Sequence, residues 1–493
     1  MDGFIFFKQA GEKMTNQLFT SKEIAKGFLE SRFDIENTFD VCIKEIQIKN
    51  LPTLIVYISG LVKGESLAEL LANLQWEQQE EIDDEVEYFD AHFNYHAKEQ
   101  ATNIDDFLLG VLSGLVGFVT LSGYSFLAEF REYPGRSPEE PDNEKVIRGS
   151  RDGFAENIIQ NVALIRRRIR STELRYQMHK ISTLGQTDVV IAYMGDLVND
   201  QHLNWLLTRL DEIKHDGLTM GDKSLEEWIF KQRFHPLPFV RYSERPDIVA
   251  AHLLEGHIAI VVDTSPSVML LPVTMFHLLQ HAEEYRQAPL IGTLMRILRY
   301  GAVILSFVLL PLWYLLVTHD ELLPDMLAFL GTSEKSEIPL YLQIVIADIG
   351  IEYLRIAGIH TPTPLSTAMG LIAGIIIGQI AIDVGLFSSE VVLYTAITAI
   401  FTFTIPNYEL SISVKVFRLM LLSITALFGL NGFFIGIFLI FTYLCSLKPM
   451  NVPYLWPLVP FFPKALLRVL IRFPMSQDAL RPYVVGAKQR KRS

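Results

Sequence analysis

Ile297-Leu-Arg-Tyr-Gly-Ala-Val-Ile-Leu-Ser-Phe-Val-Leu-Leu-Pro-Leu-Trp-Tyr-Leu-Leu-Val317 carries a single charge, Arg299. As helix it is long enough to cross a bilayer, which takes roughly 20 mostly apolar residues. It opens a block, 297–447, with fifteen Asp, Glu, Lys or Arg in 151 residues, about half the 20% charged content of the whole chain. Further apolar candidates follow at 338–357, 365–387, 390–406 and 419–447. The last is one long helix or two, divided at Gly429-Leu-Asn-Gly432, so four or six crossings fit. Arg286 and Arg296 precede the first span and Arg299 lies in its first turn, and the acidic loop His319-Asp-Glu-Leu-Leu-Pro-Asp325 follows it. By the positive-inside bias, the residues before the span are cytoplasmic. The basic tail Lys488-Gln-Arg-Lys-Arg492 returns to the same side, which requires an even number of crossings.

The preceding 290 residues read as a folded, acidic head. The chain has a net charge of −13, a pI near 5.5 and a mean hydropathy of +0.26. Nucleic acid is not expected as a partner, because phosphate binding needs a basic face. Cys42 and Cys445 lie in regions of different composition, so neither a disulfide framework nor a Cys-based metal site is expected. The first residues, Met-Asp-Gly-Phe-Ile-Phe-Phe-Lys, lack the basic start and long apolar core of a cleaved signal peptide. Walker A, His-Glu-x-x-His and Gly-x-Ser-x-Gly patterns are absent from the sequence, and no catalytic residue, metal ligand or cofactor is expected.

The head is a duplication. Tyr57, Leu61, Val62, Leu67, Leu70, Leu71 and Leu74 recur without a gap as Tyr193, Leu197, Val198, Leu203, Leu206, Leu207 and Leu210. Each segment joins a β-branched run to leucines at helical spacing, a strand–turn–helix pattern. A second pair follows: Leu112-Ser-Gly-Leu-Val-Gly-Phe-Val-Thr-Leu echoes Leu254-Glu-Gly-His-Ile-Ala-Ile-Val-Val-Asp. Two related α/β units result. The repeat assigns apolar 107–130 to the head, as a hairpin turning at Ser122-Gly123, with a counterpart at 257–272.

Between the repeats, a proline-rich lead from Pro134 runs into Arg148-Gly-Ser-Arg-Asp-Gly-Phe154. Asp152 or Ser150 is placed to cap a helix with apolar face Phe154, Ile158, Val162, Ile165 and Ile169. Arg166, Arg167, Arg168 and Arg170 fall in its last turns. There, cations complement the helix dipole and form internal ion pairs, or bind anionic lipid headgroups or acidic surfaces of a neighbouring subunit.

These motifs resemble the A-subunit family of bacterial spore germination receptors, the GerA type. The matching elements are Pro134 to Arg136, Glu140-Pro141-Asp-Asn-Glu144, Arg148 to Glu156, and Asn161 to Arg168. Tyr193, Glu244-Arg245-Pro246-Asp247, Leu254-Glu255-Gly256 and Gly378-Gln379 also match, so the likeness covers roughly 35–460. Ser150, Asp152 and Met194-Gly195-Asp196 depart from the family pattern and point to a paralogue of the nutrient-receptor subunits. The resemblance implies a multi-pass protein of the spore inner membrane, with head and tail cytoplasmic. Its implied partners are copies of itself, membrane lipid and other integral membrane germination proteins. Candidate subunit contacts are Arg148, Arg151, Glu156, Arg166, Arg168, Glu244, Arg245 and Asp247.

In the apolar block, Gly370, Gly374 and Gly378 recur every fourth residue, a smooth ridge for helix packing or for lining a narrow pore. Gln379 and Asp383 share one helical face. Asp348, Glu352 and Arg355 recur at i, i+4 and i+7, to pair among themselves or to form a vestibule. An ionisable group within a span usually faces protein or an aqueous cavity.

The expected architecture is an α/β soluble head of two related duplicated domains, then an all-α polytopic membrane domain of four to six crossings. Its divisions are an arm 1–34, head domains 35–131 and 132–285, membrane domain 286–447, and an interfacial segment with basic tail 448–493. The expected function is an oligomeric channel, or channel subunit, for small ions released in germination. The alternative is a non-conducting scaffold that gathers partners through the head.

Overall fold

The computed structural model describes residues 18–492 except 77–81, 83, 84, 94–97, 102, 133–143, 145, 147, 233, 320, 322–325, 327–330, 332–337, 361–377, 475 and 477–479. The chain forms two compact units. One comprises Met1–Gln232, Val240–Pro272 and Ala479–Ser493, and the other Arg233–Phe239 and Val273–Asp478.

In the first unit, helix α1 (Lys22–Phe33) precedes strands β1 (Val41–Ile48) and β2 (Leu51–Ile58). Then come α2 (Gly64–Trp76), α3 (Glu85–His92), β3 (Lys98–Gln100), α4 (Ile104–Leu112), β4 (Val116–Thr120) and β5 (Ser125–Ala128). The second domain repeats the plan with α5 (Ile158–Arg168), β6 (Leu174–Ile181), β7 (Thr187–Met194), α6 (Asp200–Asp211) and α7 (Gly221–Phe230). It continues with β8 (Arg241–Ser243), α8 (Pro246–Glu255), β9 (Ile258–Val262) and β10 (Val268–Leu271). The antiparallel sheets have the same order, β1-β2-β4-β5-β3 and β6-β7-β9-β10-β8. Even the register agrees: Thr53 pairs with Thr120 where Val189 pairs with Val262.

Both hairpins expected from the repeat are present, and 107–130 is head structure. Val116–Thr120 and Ser125–Ala128 are buried throughout, which explains why they read as a continuous apolar run. Phe118 and Phe126 stack across the pair with centroids 4.9 Å apart. Helix α5 starts later than the sequence suggested. Asn157 caps it by accepting from Gln160 N, while Asp152 is engaged with Arg168.

The second unit begins with α9 (Met275–Leu278) and α10 (Ala282–Arg286), followed by α11 (Pro289–Thr318), α12 (Leu340–His360), α13 (Ser389–Phe403), α14 (Tyr408–Ser446) and α15 (Pro463–Leu470). In this division residues 273–285, expected in the head, group with the helices that follow. Glu284 of α10 is buried against α11, its Oε2 2.6 Å from Arg296 Nε, and it also pairs with Arg299. The cations that flank the first span are thus held by a carboxylate of the preceding turn.

Among the described residues, α11 and α14 are long and apolar enough to cross a membrane, and α13 is a shorter apolar helix. α14 is not one rod. Gly429 has φ 59° and ψ −139°, a conformation essentially confined to glycine. The two arms fold back on each other: Phe417 and Tyr443 have ring centroids 6.0 Å apart. In a continuous helix they would be separated by roughly 39 Å at 1.5 Å per residue. The apolar 419–447 stretch is therefore divided at Gly429, and its first arm begins earlier, at Tyr408.

Candidate functional site

The helical unit gathers five charges, of which Asp348, Lys415 and Arg418 are buried and Glu352 and Arg355 half-buried. Arg418, on the first arm of α14, is 0% exposed and Asp348, on α12, is 1% exposed. Arg418 Nη2 donates to Asp348 Oδ1 and Oδ2 at 2.7 and 2.9 Å. Its Nη1 donates to Ser306 O of α11 at 2.8 Å and to Thr402 Oγ1 of α13 at 3.1 Å. One guanidinium thus binds groups from three other helices.

One turn before Arg418, Lys415 Nζ donates to Glu352 Oε2 at 2.8 Å and to Asp348 O at 2.9 Å. Arg355 Nη2 lies 2.7 Å from Glu352 Oε1, and its Nη1 donates to Ser411 Oγ at 2.9 Å. The Arg355 guanidinium covers the Tyr408 ring at 4.5 Å. Helical spacing explains the order: 348, 352 and 355 face 418, 415 and 411 on an antiparallel neighbour. Three cations meet two carboxylates, leaving one positive charge in excess. Taking such ions out of water is costly unless pairing and hydrogen bonds compensate, and here neighbouring helices supply both.

Asp348, Glu352 and Arg355 are thus brought together. Their main partners, Lys415 and Arg418, were missed because the sequence reading began the last span at 419. The available signal was two cations three residues apart within a long apolar stretch. Gly370 and Gly374 lie outside the described residues. Helical residues 378–383 place Gln379 and Asp383 on the exposed surface and bury Ala381. A Cβ added to Gly378 would meet nothing within 4 Å.

The head motif residues form a second, internal network. Arg245 is 0% exposed and binds Asp247 through Nε at 3.1 Å and Nη2 at 3.0 Å. It also donates to Ser150 O and Glu144 O, and Glu244 O accepts from Phe154 N at 2.9 Å. The Glu-Arg-Pro-Asp tetrad therefore fastens the Arg-Gly loop. Arg166, also 0% exposed, makes a bidentate pair with Asp40 at 2.8 and 2.9 Å, joining the two head domains. Arg166 and Arg245 are internal clamps rather than surface contacts.

Arg168 grips Asp152 at 2.5 Å. Burial alone would raise the Asp152 carboxyl, but the bonds from Arg168 and Ser150 outweigh it and hold it below the usual range. Glu144 shifts the opposite way: burial pushes it up despite Arg241 and the Ser243 hydroxyl. Glu244 and Asp247 are half-buried. Arg148, Arg151 and Glu156 have exposed side chains, so these three are the predicted contacts left on the surface.

The model of the family described as Bacillus/Clostridium GerA spore germination protein matches residues 29–484. The chain is 45% identical over 468 residues to "Stage V sporulation protein AF" of Bacillus subtilis (strain 168), covering 94% of this chain and 95% of that one. It is 29% identical to "Spore germination protein KA" of the same organism, over 96% and 88% of the two chains. Among solved structures, the crystal structure of the N-terminal domain of the A subunit of the Bacillus megaterium spore germinant receptor GerK3 is similar. That likeness covers 51% of this chain and 95% of that one, at 24% identity and a TM-score of 0.41. With the family model spanning nearly its whole length, the chain belongs to the GerA spore germination protein family.

Proposed function

We propose that this protein is an oligomeric channel, or channel subunit, of the spore inner membrane that releases small ions during germination. The observation that carries the reading is the exposed pair Gln379 and Asp383, four residues apart on the surface of an apolar helical unit. A carboxylate on such a surface is costly against lipid and is stabilised by an aqueous cavity or a second subunit. A ring of copies supplies both. Other integral membrane germination proteins are further partners in this reading.

Six crossings fit the helix ends. Ser388 N, just before α13, donates to Gln343 Oε1 near the start of α12. Arg355, near the end of α12, meets Ser411 near the start of α14. α12 thus ends where α14 begins, while α13 begins where α12 begins, so the end of α12 and the start of α13 lie at opposite ends of the bundle. With the two arms of α14 the total is even. Even parity agrees with Pro272 and the tail belonging to one unit, and the charge bias makes that side cytoplasmic.

A non-conducting scaffold is the second reading, favoured by the internal pairing of the five clustered charges. Asp383→Ala and Gly374→Leu in intact spores separate the two. The channel reading predicts altered ion-release kinetics at normal protein level, and unchanged kinetics in both variants contradicts it.

A further inference from the structure

Two hydrogen bonds occupy the same place in the two head domains. Glu132 N donates to Leu61 O at 2.9 Å, and Lys488 N donates to Leu197 O at 2.9 Å. Leu61 and Leu197 are one position of the repeat. Gly114 and Gly256 are another such pair, with φ of 94° and 98°. A Cβ on Gly114 would lie 3.0 Å from Arg131 Cγ, and on Gly256 2.9 Å from Ala487 Cβ. Residues 487 and 488 therefore stand where 131 and 132 stand. In the first domain this closing segment follows β5 directly. In the second, the chain leaves after β10 for the helical unit and comes back at Ala479.

We infer that the C-terminal tail is the closing segment of the second head domain, and that the helical unit is an insertion within the second repeat. The tail is bound as a built-in ligand. Val485 is 0% exposed, and Val484 and Ala487 are 8% exposed. Lys488 Nζ lies 2.7 Å from Asp200 Oδ1, and Arg492 Nη2 lies 2.7 Å from Glu255 Oε1. Arg481 Nε donates to Leu254 O at 2.8 Å. The repeat equivalents of Asp200 and Glu255 in the first domain are Gly64 and Ser113. Carboxylates stand at these positions in the domain whose closing segment arrives from afar. The first domain, whose segment is covalently continuous, has none there. The chain passes between the two units at 232/233, 239/240, 272/273 and 478/479, and the tail holds the last of these returns in place.

Amide hydrogen exchange on the full-length protein in detergent tests this, since exchange reports local opening. Three chains are compared: the natural one, Lys488→Pro, which removes the N–H that meets Leu197, and a chain stopped after Ala479. Exchange at 197–203 and 255–258 is expected to rise about tenfold or more in both variants, as for loss of roughly 1.4 kcal/mol of local stability. The equivalent 61–67 and 113–116 should not change. Adding a peptide of residues 480–493 to the shortened chain should restore protection. Unchanged exchange at 197–203 in Lys488→Pro overturns the assignment, and that variant decides the matter if the shortened chain does not fold.

Discussion

Arg418 and Asp348 pair inside the helical unit, both almost fully buried, with Nη2 donating to the two carboxylate oxygens at 2.7 and 2.9 Å. Removing one partner takes from the other its nearest opposite charge in a low-dielectric interior, and the Lys415 Nζ 3.7 Å from Asp348 Oδ1 replaces only part of it. Asp348→Asn or Arg418→Gln should therefore cost about 3–5 kcal/mol. The apolar double variant Asp348→Leu/Arg418→Met should recover most of that, because it removes both desolvation penalties. Thermal unfolding of the purified protein in detergent checks the order: natural, double variant, then singles. Singles that melt with the natural protein would show that the pair does not hold the helices together.

Gly429 is the pivot of the last two helical arms. A side chain there meets both the left-handed backbone and His319, whose Nε2 would lie 2.9 Å from the added Cβ. Gly429→Ala should destabilise by about 1–3 kcal/mol, the usual range for a residue forced into such a conformation. Gly301→Ala, where an added Cβ meets nothing within 4 Å, should be neutral or slightly stabilising through helix propensity. Equal melting temperatures for the two variants would argue against a strained turn at Gly429.

Arg166 and Asp40 should behave in the head as the Arg418 pair does in the helical unit. Arg166→Met alone strands a buried carboxylate between the two domains, at a cost of about 3–5 kcal/mol. With Asp40→Leu added, most of the loss should be recovered. Limited proteolysis between the domains provides the readout: faster cleavage in the single variant, near-natural cleavage in the double.

Acid should loosen the Arg-Gly loop. The folded-state pKa of Asp152 is depressed, so its contribution to stability is present above its ordinary value near 3.8 and is lost as pH falls through the lower folded value. Asp152→Asn should therefore be less stable than the natural chain at pH 6. The difference should shrink below about pH 4, as measured by denaturation at each pH. A gap that widens in acid would contradict the Arg168–Asp152 assignment.

The head was legible because its signal is local and repeated. Tyr57 to Leu74 and Tyr193 to Leu210 carry the same strand-to-helix pattern, and the repeat alone reassigned 107–130 from membrane to hairpin. The charge network was half legible. Asp348, Glu352 and Arg355 announced one face of one helix, but their partners lie about 60–70 residues away, and helical periodicity says nothing about which helix packs opposite. The closing role of residues 487 and 488 left no pattern at all: Arg131-Glu132 and Ala487-Lys488 share no side-chain type at the first position. They are matched through main-chain bonding to Leu61 and Leu197.

The channel assignment is tested most directly by ion flux through the purified protein. The full chain, confirmed as oligomeric, is reconstituted into potassium-loaded liposomes and the efflux is followed. The account predicts a leak that scales with the amount of protein and falls markedly in Asp383→Ala. A flat trace from correctly inserted, oligomeric protein, under both cation and anion gradients, contradicts it.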